Sequence, residues 1–395
     1  MAKSARDPAL AHALALLERL PLVDGHNDLP WVIHSDDEAK GDVAAWDPSR
    51  IHQGHDTDLP RMREGKVSAQ WWAAFLPTDT PQPGRTTLEL IDIIIRLTEG
   101  YPETFLPARR ASDIARAKAA GKIASFIAVE GGVGLENSLS PLRVWHAAGA
   151  RLMTLCHNET LDWVDSATDA PRHGGLTAFG RQVVLELNRL GMIVDCAHVS
   201  HDVMRQVLDI TRAPTVWSHS NAFSLCNHPR NVPDDVLDRV KANGGIVMAT
   251  FVPTFINQAM RDWYRAFCDP WGKAMHLSPA REKEVLAAAG PMPGGTLDQL
   301  VAHIEYLADR AGPAHVGIGS DFFGGRTPDG LEHVGRFPHL LAALIRKGWS
   351  DDAIAGIASR NFVRVFRAVE RVGRALRQTE LPRVGRLEDF DRPAK

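Results

Sequence analysis

The chain has 395 residues, enough for two or three average domains or for one large α/β barrel with insertions. Its net charge of −3 and the lack of any lysine- or arginine-rich block give no indication of binding to nucleic acid or to an anionic membrane. Four cysteines are too few for a disulfide framework and are typical of a reducing compartment, so we expect a cytoplasmic protein, with a single Cys226–Cys268 bridge left open.

The first segment, residues 1–20, is predicted to be an N-terminal helix. Lys3 and Arg6 precede the apolar run ALAHALALL, which has some features of a signal peptide. His12 interrupts that run, however, and ERL and the polar DGHND cluster follow it directly, so a capping helix is favoured over export. No stretch approaches the roughly 18 uninterrupted apolar residues of a membrane span, which argues against membrane insertion.

Short apolar runs, rich in β-branched residues, alternate with helical patterns along the chain. The runs predict eight strands, at residues 22–26, 67–76, 123–131, 151–158, 192–200, 215–220, 245–252 and 315–322. Apolar residues at i, i+3 and i+4 predict helices between them, at 87–100, 178–191, 202–210, 234–245 and 297–312.

Strands that alternate with helices indicate a parallel sheet of the α/β class. Eight such strands favour a closed (β/α)₈ (TIM) barrel. An open, doubly wound sheet is the alternative, but no GxGxxG motif follows the first strand to support it.

Other segments lie outside this alternation. Residues 34–66 and 253–295 are polar and rich in turn residues, and long loops of this kind are usually active-site lids or dimer contacts. The helical patterns at 340–349 and 351–376 would close the barrel or pack beside it. We therefore expect one domain over residues 21–376, followed by a polar C-terminal tail at 377–395 without a lipid-anchor signal.

Polar side chains of ligand or acid/base type end six of the eight predicted strands. Because the carboxyl ends of barrel strands meet at one mouth, we expect these residues to converge there although they are far apart in sequence. They are His26 with Asp28, Glu130, His157, His198, His219 and Asp321.

His26 and Asp28 are two positions apart on a predicted strand and should share a face, where an imidazole nitrogen and a carboxylate oxygen suit zinc. Glu130 follows an apolar run, and a buried carboxylate needs a metal, a cation or hydrogen-bond donors. Simpler interpretations remain: the HND triplet could turn the chain, Glu130 could face water, and a single histidine such as His198 or His219 is more often a core residue than a ligand.

Three further residues suggest roles towards a substrate. His157 could donate a hydrogen bond to an oxyanion or simply order a loop, and Asp321 could act as a general base or as a turn residue. Arg230 could bind a substrate carboxylate in bidentate fashion, although most loop arginines are only solvated. Asp24 and Asp195 precede ligand candidates on their strands and are expected to position them or to be structural.

Taken together, the stretches DGHNDLPW, GKIASFIAVEGG, GRQVVLELNRLGMIVDCAHVS, SHSNAFSLCNHPRNVPDDVL and VGIGSDF resemble the membrane (renal) dipeptidase family, zinc peptidases (M19) of the amidohydrolase superfamily. The resemblance extends over about residues 20–366. It implies a (β/α)₈ barrel with two zinc ions bridged by Glu130. In that pattern His26 and Asp28 complete one metal site, and His198 and His219 complete the other.

The same resemblance implies hydrolysis of a small dipeptide, including L-Xaa-D-Xaa, by a water or hydroxide that bridges the two zinc ions. His157 would face the substrate and stabilise the oxyanion, Arg230 would bind the C-terminal carboxylate, and Asp321 would be the acid/base residue. A homodimer is expected because dimers are usual in the family. The sequence departs from the family pattern at Phe323, where an acidic residue is usual, and in residues 250–256, which lack the tyrosine of animal members.

Other functions remain as alternatives. The same site could cleave another small amide, such as a β-lactam or an N-acyl amino acid. A non-catalytic binding protein with this fold is a second class, but every metal-ligand and catalytic position that the resemblance implies is filled in this sequence. A serine hydrolase is disfavoured because no GxSxG motif occurs.

Overall fold

The computed structural model describes residues 7–271 and 277–391 and contains nine parallel-paired strands. The strands are β1 Val23–Asn27, β2 Ala69–Phe75, β3 Phe105–Pro107, β4 Ile123–Glu130, β5 Ala150–Thr154, β6 Ile193–Asp195, β7 Val216–Trp217, β8 Ile246–Ala249 and β9 Val316–Ile318. Eight of them are neighbours in the order β1-β2-β4-β5-β6-β7-β8-β9, while the short β3 pairs with the start of β4.

The two ends of this sheet approach each other, so the barrel is nearly closed. Asn27 and Phe322 form a parallel bridge, and the Asp28 amide donates to the Phe322 carbonyl at 3.1 Å. The predicted (β/α)₈ barrel is therefore confirmed. Strand β3 was not predicted, because its three residues are too few to show a period-2 pattern.

Helices cover the outside of the barrel and connect its strands. They are α1 Pro8–Arg19, α2 Leu29–Ser35, α3 Val43–Trp46, α4 Leu59–Glu64, α5 Pro83–Gly100, α6 Ala111–Ala119, α7 Ser140–Ala148, α8 Ala178–Leu190, α9 His201–Ile210, α10 Asp234–Asn243, α11 Pro253–Ile256, α12 Gln258–Phe267, α13 Pro279–Ala289, α14 Leu297–Ala311, α15 Phe337–Arg346, α16 Asp351–Ala355, α17 Asn361–Thr379 and α18 Leu387–Phe390. All five helices predicted between strands are present.

Several strands are shorter than predicted, and buried aspartates explain where two of them end. The Asp195 carboxylate accepts the amides of Ala197 and Ser218 at 3.0 and 2.9 Å, so these amides bond to a side chain instead of continuing the strand ladder. Asp24 accepts the Ser320 amide at 2.8 Å in the same way, just beyond β9. The predicted strands 192–200 and 315–322 consequently end at Asp195 and Ile318.

The two long segments predicted as loops contain helices. Residues 34–66 include α3 and α4, with Asp42 and Asp58 accepting hydrogen bonds at their N-caps. Residues 253–295 include α11, α12 and α13, and Met260, Trp263 and Tyr264 of α12 pack on Val285 of α13 in a small separate core. The prediction of loops throughout was wrong because turn residues and N-cap residues are the same types. Residues 272–276 of the second segment lie outside the described part of the chain.

The inward-facing aromatic residues of β2 and β4 pack against the C-terminal helix α17. The Trp71 and Phe126 rings stack with centroids 4.5 Å apart, and Phe362 and Phe366 of α17 each lie 5.4 Å from Trp71. This aromatic cluster joins α17 to the barrel strands, as expected for residues 351–376.

The structure describes only part of each terminal segment, residues 1–20 and residues 377–395. Helix α1 begins after Asp7, whose carboxylate caps it, and residues 1–6 lie outside the described range. Helix α17 continues to Thr379, and Asp391 accepts the amides of Ala178 and Phe179 at the start of α8, so part of the expected tail packs on the barrel. Residues 392–395 are not described.

Cys226 and Cys268 are both free thiols, so the bridge left open by the sequence does not form in this structure. Across residues 7–271 and 277–391, none of the helices combines the length and the apolar content that crossing a bilayer requires.

Two glycines, Gly25 in the middle of β1 and Gly319 just after β9, allow a close approach inside the barrel. A Cβ on Gly319 would lie 1.7 Å from the Ser218 carbonyl oxygen, and a Cβ on Gly25 would lie 2.9 Å from the same atom. A side chain at residue 319 would therefore force the segments after β7 and β9 apart.

We expect Gly319→Ala to lower the free energy of unfolding by about 3 kcal/mol or more, since overpacking against backbone cannot relax by a rotamer change. Gly100→Ala is the matched control, because no atom lies within 4 Å of its added Cβ at the end of α5. It should be neutral or stabilising by up to about 1 kcal/mol. Urea unfolding of both variants measures the difference, and equal midpoints would contradict the packing argument.

Candidate active site

The structure brings all eight candidate residues to the carboxyl end of the barrel. His26 lies on β1 and Glu130 is the last residue of β4, whereas the others occupy the turns that follow β1, β5, β6, β7 and β9. Asp28 was expected on the same strand as His26. It instead lies just after β1, as the residue before α2. One cavity of about 200 Å³ is lined by Asp28, Glu130, His157, His198, Arg230 and Asp321, and His26 and His219 are buried close to it.

Glu130 is buried at the centre of the cluster, and its two oxygens face different groups. Oε2 lies 3.1 Å from Nε2 of His26, while Oε1 lies 3.0 Å from Nε2 of His198 and 3.5 Å from Nε2 of His219. Asp28 adds an oxygen 3.5 Å from His26 Nε2. One carboxylate therefore stands between a His26–Asp28 group and a His198–His219 group.

The imidazoles of His198 and His219 point towards the same place beside Glu130. Their Nε2 atoms are 2.9 Å apart, and both face Glu130 Oε1. Burial, together with the nearby Arg230 guanidinium, holds the pKa of His198 well below its usual value, and burial likewise lowers the pKa of His219. Neutral imidazoles that converge on a carboxylate oxygen present lone pairs suited to a shared cation.

Asp195 and Ser218 orient His219. The Ser218 hydroxyl donates to Asp195 Oδ2 at 2.6 Å, so its oxygen is available to accept from Nδ1 of His219 at 2.8 Å. Thr154 also donates to Asp195 Oδ2 at 2.7 Å. With the proton on Nδ1, Nε2 carries the lone pair that faces Glu130. This is the arrangement by which outer hydrogen bonds fix the tautomer of a metal-binding histidine.

Asp24 holds Ser320, the residue before Asp321, much as Asp195 holds Ser218, the residue before His219. It accepts the Ser320 hydroxyl at 2.7 Å and the Gln70 amide at 2.9 Å, in addition to the Ser320 backbone amide. Burial raises the pKa of Asp24 to about 6, although these donors oppose the shift. Asp24 therefore holds Ser320, and with it the start of the turn that carries Asp321, rather than His26 on its own strand.

Three residues at the mouth have left-handed backbone conformations. The φ angles of His198, Asp321 and Phe323 are +67°, +62° and +72°. Such conformations cost about 1–3 kcal/mol for non-glycine residues and cluster at functional sites. Here they turn the chain sharply after β6 and β9, and both His198 and Asp321 line the cavity as a result.

The cluster satisfies the chemical requirements of a metal centre. Three groups of side chains bring ligand atoms within 4.8 Å of one another: His26 with Glu130 and His219, Glu130 with His157 and His198, and His26 with Asp28 and Asp321. Within the described residues, His26 Nε2 and Asp28 Oδ1 are buried without a hydrogen-bond partner. Despite the opposing effect of burial, the carboxylates of Glu130 and Asp28 raise the pKa of His26 well above its usual value. The site thus favours a positive charge.

The groupings differ from those implied by the family resemblance. His219 lies with His26 as well as with His198, and the His26 and His219 rings are 4.0 Å apart. His157 joins Glu130 and His198 as a possible ligand, although it was expected to face the substrate. Its ring is 4.3 Å from that of His198 and 4.4 Å from that of Phe75.

Asp321 and Arg230 complete the cavity. Burial and the neighbouring Asp28 carboxylate raise the pKa of Asp321 to about 6, against the opposing effects of His26 and Arg230. Arg230 is 1% exposed, and burial lowers its pKa to about 10. Its Nη2 contacts the His219 carbonyl at 3.4 Å, but no group in the described part of the chain accepts a hydrogen bond from Nε or Nη1.

Sequence reasoning missed several contributors. Ser218 directly precedes His219, and Ser320 directly precedes Asp321. The SHS and GSD triplets were therefore the sequence feature from which these two serines could have been identified. The serine that matters is the one before His219, not the one after it. The cavity lining also includes Trp31, Phe75, Asn158, Thr168, His228 and Phe255. The Arg230 amide donates to His228 at 3.2 Å, but nothing in the CNHPRN stretch marked His228.

We expect Ser218→Ala to weaken metal binding about 10- to 100-fold, because His219 loses the hydroxyl that fixes its tautomer. Ser220→Ala is the matched control: Ser220 is also buried beside His219, but its hydroxyl has no hydrogen-bond partner among the described residues. Titration against a chelator measures both affinities. If the two variants bind metal equally well, Ser218 does not orient His219.

Comparisons with known proteins agree with this geometry. The family model of the membrane dipeptidases (peptidase family M19) matches residues 10–380. Among solved structures, the probable dipeptidase PvdM from Pseudomonas aeruginosa is 25% identical, with a TM-score of 0.79 over 93% of this chain and 100% of that one. A metallopeptidase from Rhodobacter sphaeroides is 21% identical, with a TM-score of 0.72 over 89% and 99% of the two chains.

An amidohydrolase from Pseudomonas aeruginosa also shares the fold, at 21% identity and a TM-score of 0.70 over 91% and 99% of the two chains. The resemblance inferred from the sequence motifs is therefore confirmed. Because the family model covers nearly the whole chain, the protein belongs to the membrane dipeptidase family, M19, of metallopeptidases.

Proposed function

We propose that the protein is a zinc-dependent dipeptidase that hydrolyses small dipeptides, including those with a D-residue at the C-terminus. Its family supports a metallo-dipeptidase. The proposal adds two zinc ions, held by His26 and Asp28 on one side and by His198 and His219 on the other, with Glu130 between them. The opposite directions of the two Glu130 oxygens support this division.

The burial of Arg230 without a partner for two of its nitrogens is the observation that supports the proposed substrate class. A buried guanidinium with two nitrogens that lack a hydrogen-bond partner costs several kcal/mol by an order-of-magnitude estimate unless an anion pairs with it. Arg230 lines the same cavity as Glu130 and Asp321. A free carboxylate on the substrate would bind it in bidentate fashion, which places the neighbouring amide bond near the histidine and carboxylate cluster.

The size of the cavity fits this class. About 200 Å³ accommodates a small molecule but not an extended peptide. The Rhodobacter sphaeroides metallopeptidase was solved with a phosphinate mimic of the dipeptide L-Ala-D-Ala. That protein shares the fold, and for this reason we include L-Xaa-D-Xaa dipeptides among the proposed substrates.

Bound zinc ions would supply Lewis acidity that activates water and polarises the amide carbonyl. The chain itself provides the proton transfers and the orientation. Asp321 accepts the proton of the attacking water and returns it to the leaving amine, a role suited to a carboxyl whose pKa is raised to about 6. His157 donates a hydrogen bond to the carbonyl oxygen as negative charge develops on it.

The first test compares substrates on one preparation whose metal content is measured. We expect cleavage of L-Ala-D-Ala or L-Ala-L-Ala, and about 10- to 150-fold lower kcat/KM for the corresponding C-terminal amides, because they lack the charge that pairs with Arg230. Arg230→Met should remove this discrimination, whereas Arg360→Met on the exposed surface should keep it.

Cleavage of a β-lactam or of an N-acetyl amino acid in preference to every dipeptide would replace the proposed substrate class with another small amide. An inactive, metal-free protein that stays inactive after zinc is added would indicate a non-catalytic function. Thermal melts of the two arginine variants show whether a loss of discrimination comes from misfolding.

We expect Asp321→Asn to lower kcat at least ~100-fold, since the amide cannot accept the proton of the water. Metal content should stay unchanged, because the other candidate ligands remain. Asp298→Asn, an exposed change in the first turn of α14, is the control. Near-normal turnover of Asp321→Asn would show that another group moves the proton, and loss of metal would show that Asp321 is a ligand.

Homodimerisation and cytoplasmic location remain predictions from the family and from the cysteine content. Sedimentation analysis of the purified protein decides the first of these.

A further inference from the structure

A second, larger cavity lies beside the catalytic one. Its volume is about 1030 Å³, and it shares Trp31 and Phe323 with the catalytic cavity. We call it the outer chamber and define it by the residues that line it apart from these two, chiefly Val32, Ser35, Pro253, Met260, Leu286 and Met292. Helix α2, residues 54–56, helices α11 to α13 with residues 290–295, and the chain after β9 supply its walls.

The volumes of the two cavities suit different parts of a ligand. Small-molecule sites usually measure about 300–1,000 Å³, and the catalytic cavity of about 200 Å³ is below that range. The outer chamber is at its upper end. The catalytic cavity can therefore enclose the amide and the carboxylate end of a substrate, while the outer chamber has room for a large substituent.

Trp31 and Phe323 form the boundary between the cavities, and contacts fix both rings. Trp31 packs edge-on against Phe75, at 5.4 Å, and stacks on His34, at 5.3 Å. The Phe323 ring packs edge-on against His55, at 5.8 Å, and its backbone amide donates to Asp56 Oδ2 at 2.9 Å. A bulky residue keeps the left-handed φ described above for Phe323 only when its surroundings determine it. The boundary is thus a fixed aromatic passage.

The arrangement of the catalytic cavity indicates which half of the substrate reaches this passage. The Arg230 amide contacts His228, and its guanidinium lies 5.3 Å from the centre of the Phe255 ring. If Arg230 holds the C-terminal carboxylate, the leaving half lies on this side. The acyl half then extends towards Asp321, Trp31 and Phe323, and from there into the outer chamber.

Apolar side chains supply about half of the wall of the outer chamber, and an apolar group can bind against them. Val32, Pro253, Met260, Leu286 and Met292 provide aliphatic, proline and thioether surface. Four charged residues also line the outer chamber: Glu282 and Arg326 form an ion pair with each other, Asp56 accepts the Phe323 amide, and Asp329 is exposed. Burying an apolar group against these side chains is favourable because it removes apolar surface from water.

We propose that the outer chamber binds an apolar group on the acyl side of the scissile amide, so that the enzyme prefers substrates with a large apolar N-terminal half. This proposal rests on the proposed dipeptidase function. The apolar group could be the side chain of an N-terminal residue or an acyl chain, and the experiment distinguishes these two sources.

The experiment compares kcat/KM of the zinc-loaded protein for L-Ala-D-Ala, L-Trp-D-Ala and N-octanoyl-D-alanine. We expect kcat/KM for at least one of the two large substrates to be about tenfold higher than for L-Ala-D-Ala. The large substrate with the higher kcat/KM identifies the source of the apolar group, and its kcat/KM divided by that for L-Ala-D-Ala is the ratio used below. Ser35→Trp fills the rim of the outer chamber from the end of α2 and should lower this ratio at least fivefold. Phe323→Asp places a charge in the passage and should lower it similarly.

Glu38→Trp is the matched control, an exposed change close to Ser35 that does not line the outer chamber. It should leave the ratio as in the unmodified protein. A ratio near one in the unmodified protein, or a ratio that neither Ser35→Trp nor Phe323→Asp changes, would overturn the proposal. In either case cleavage of L-Ala-D-Ala would leave the dipeptidase function intact.

Calorimetric titration of N-octanoyl-D-alanine supplies a readout that does not require turnover. Binding that Ser35→Trp weakens at least fivefold and Glu38→Trp leaves unchanged supports the outer chamber as a binding site, even if no substrate is cleaved. Equal binding by the two variants, or no binding by the unmodified protein, counts against it.

Discussion

The Glu130 carboxylate, buried at the end of β4 between two sets of imidazole and carboxylate groups, is the constraint on which the rest of the site depends. Its two oxygens lie 3.1 Å from His26 and 3.0 Å from His198, on different sides. A buried charge in this position is acceptable only with a compensating positive charge. The raised pKa of His26 and the neutral state favoured for His198 and His219 show where that charge is accommodated. Binding of a cation at this position would therefore be coupled to the folding of the barrel mouth.

The barrel delivers these groups through its strand ends. Asp24 and Asp195 each take hydrogen bonds that the next strand residues would have made in the sheet, and each also holds a serine beside a site residue. The chain can then turn sharply, with His198 and Asp321 in left-handed conformations. One pair of buried carboxylates thus ends two strands and positions the residues that follow.

Much of this arrangement could be predicted from the sequence, because strand–helix alternation and ligand-type residues after apolar runs are local patterns. The barrel and the convergence of His26, Glu130 and Asp321 follow from such patterns. The strand ends could not be predicted in the same way, since Asp195 acts through partners on β5 and after β7. The helices of 253–295 were missed because their N-cap residues resemble turn residues. The outer chamber depends on the tertiary packing of those helices and has no local signature.

Asp24 and Asp195 both end strands and hold the serines beside site residues, and this combination has an evolutionary consequence. If the proposed peptide cleavage were lost in a relative, the side chains of Arg230 and Asp321 could be replaced without disrupting the barrel, since neither side chain supports the sheet. Loss of Asp24 or Asp195 would instead leave several buried donors unmatched, at a cost of about 1–3 kcal/mol each. Relatives with another activity should therefore retain these two acids even where the proposed catalytic groups have been replaced.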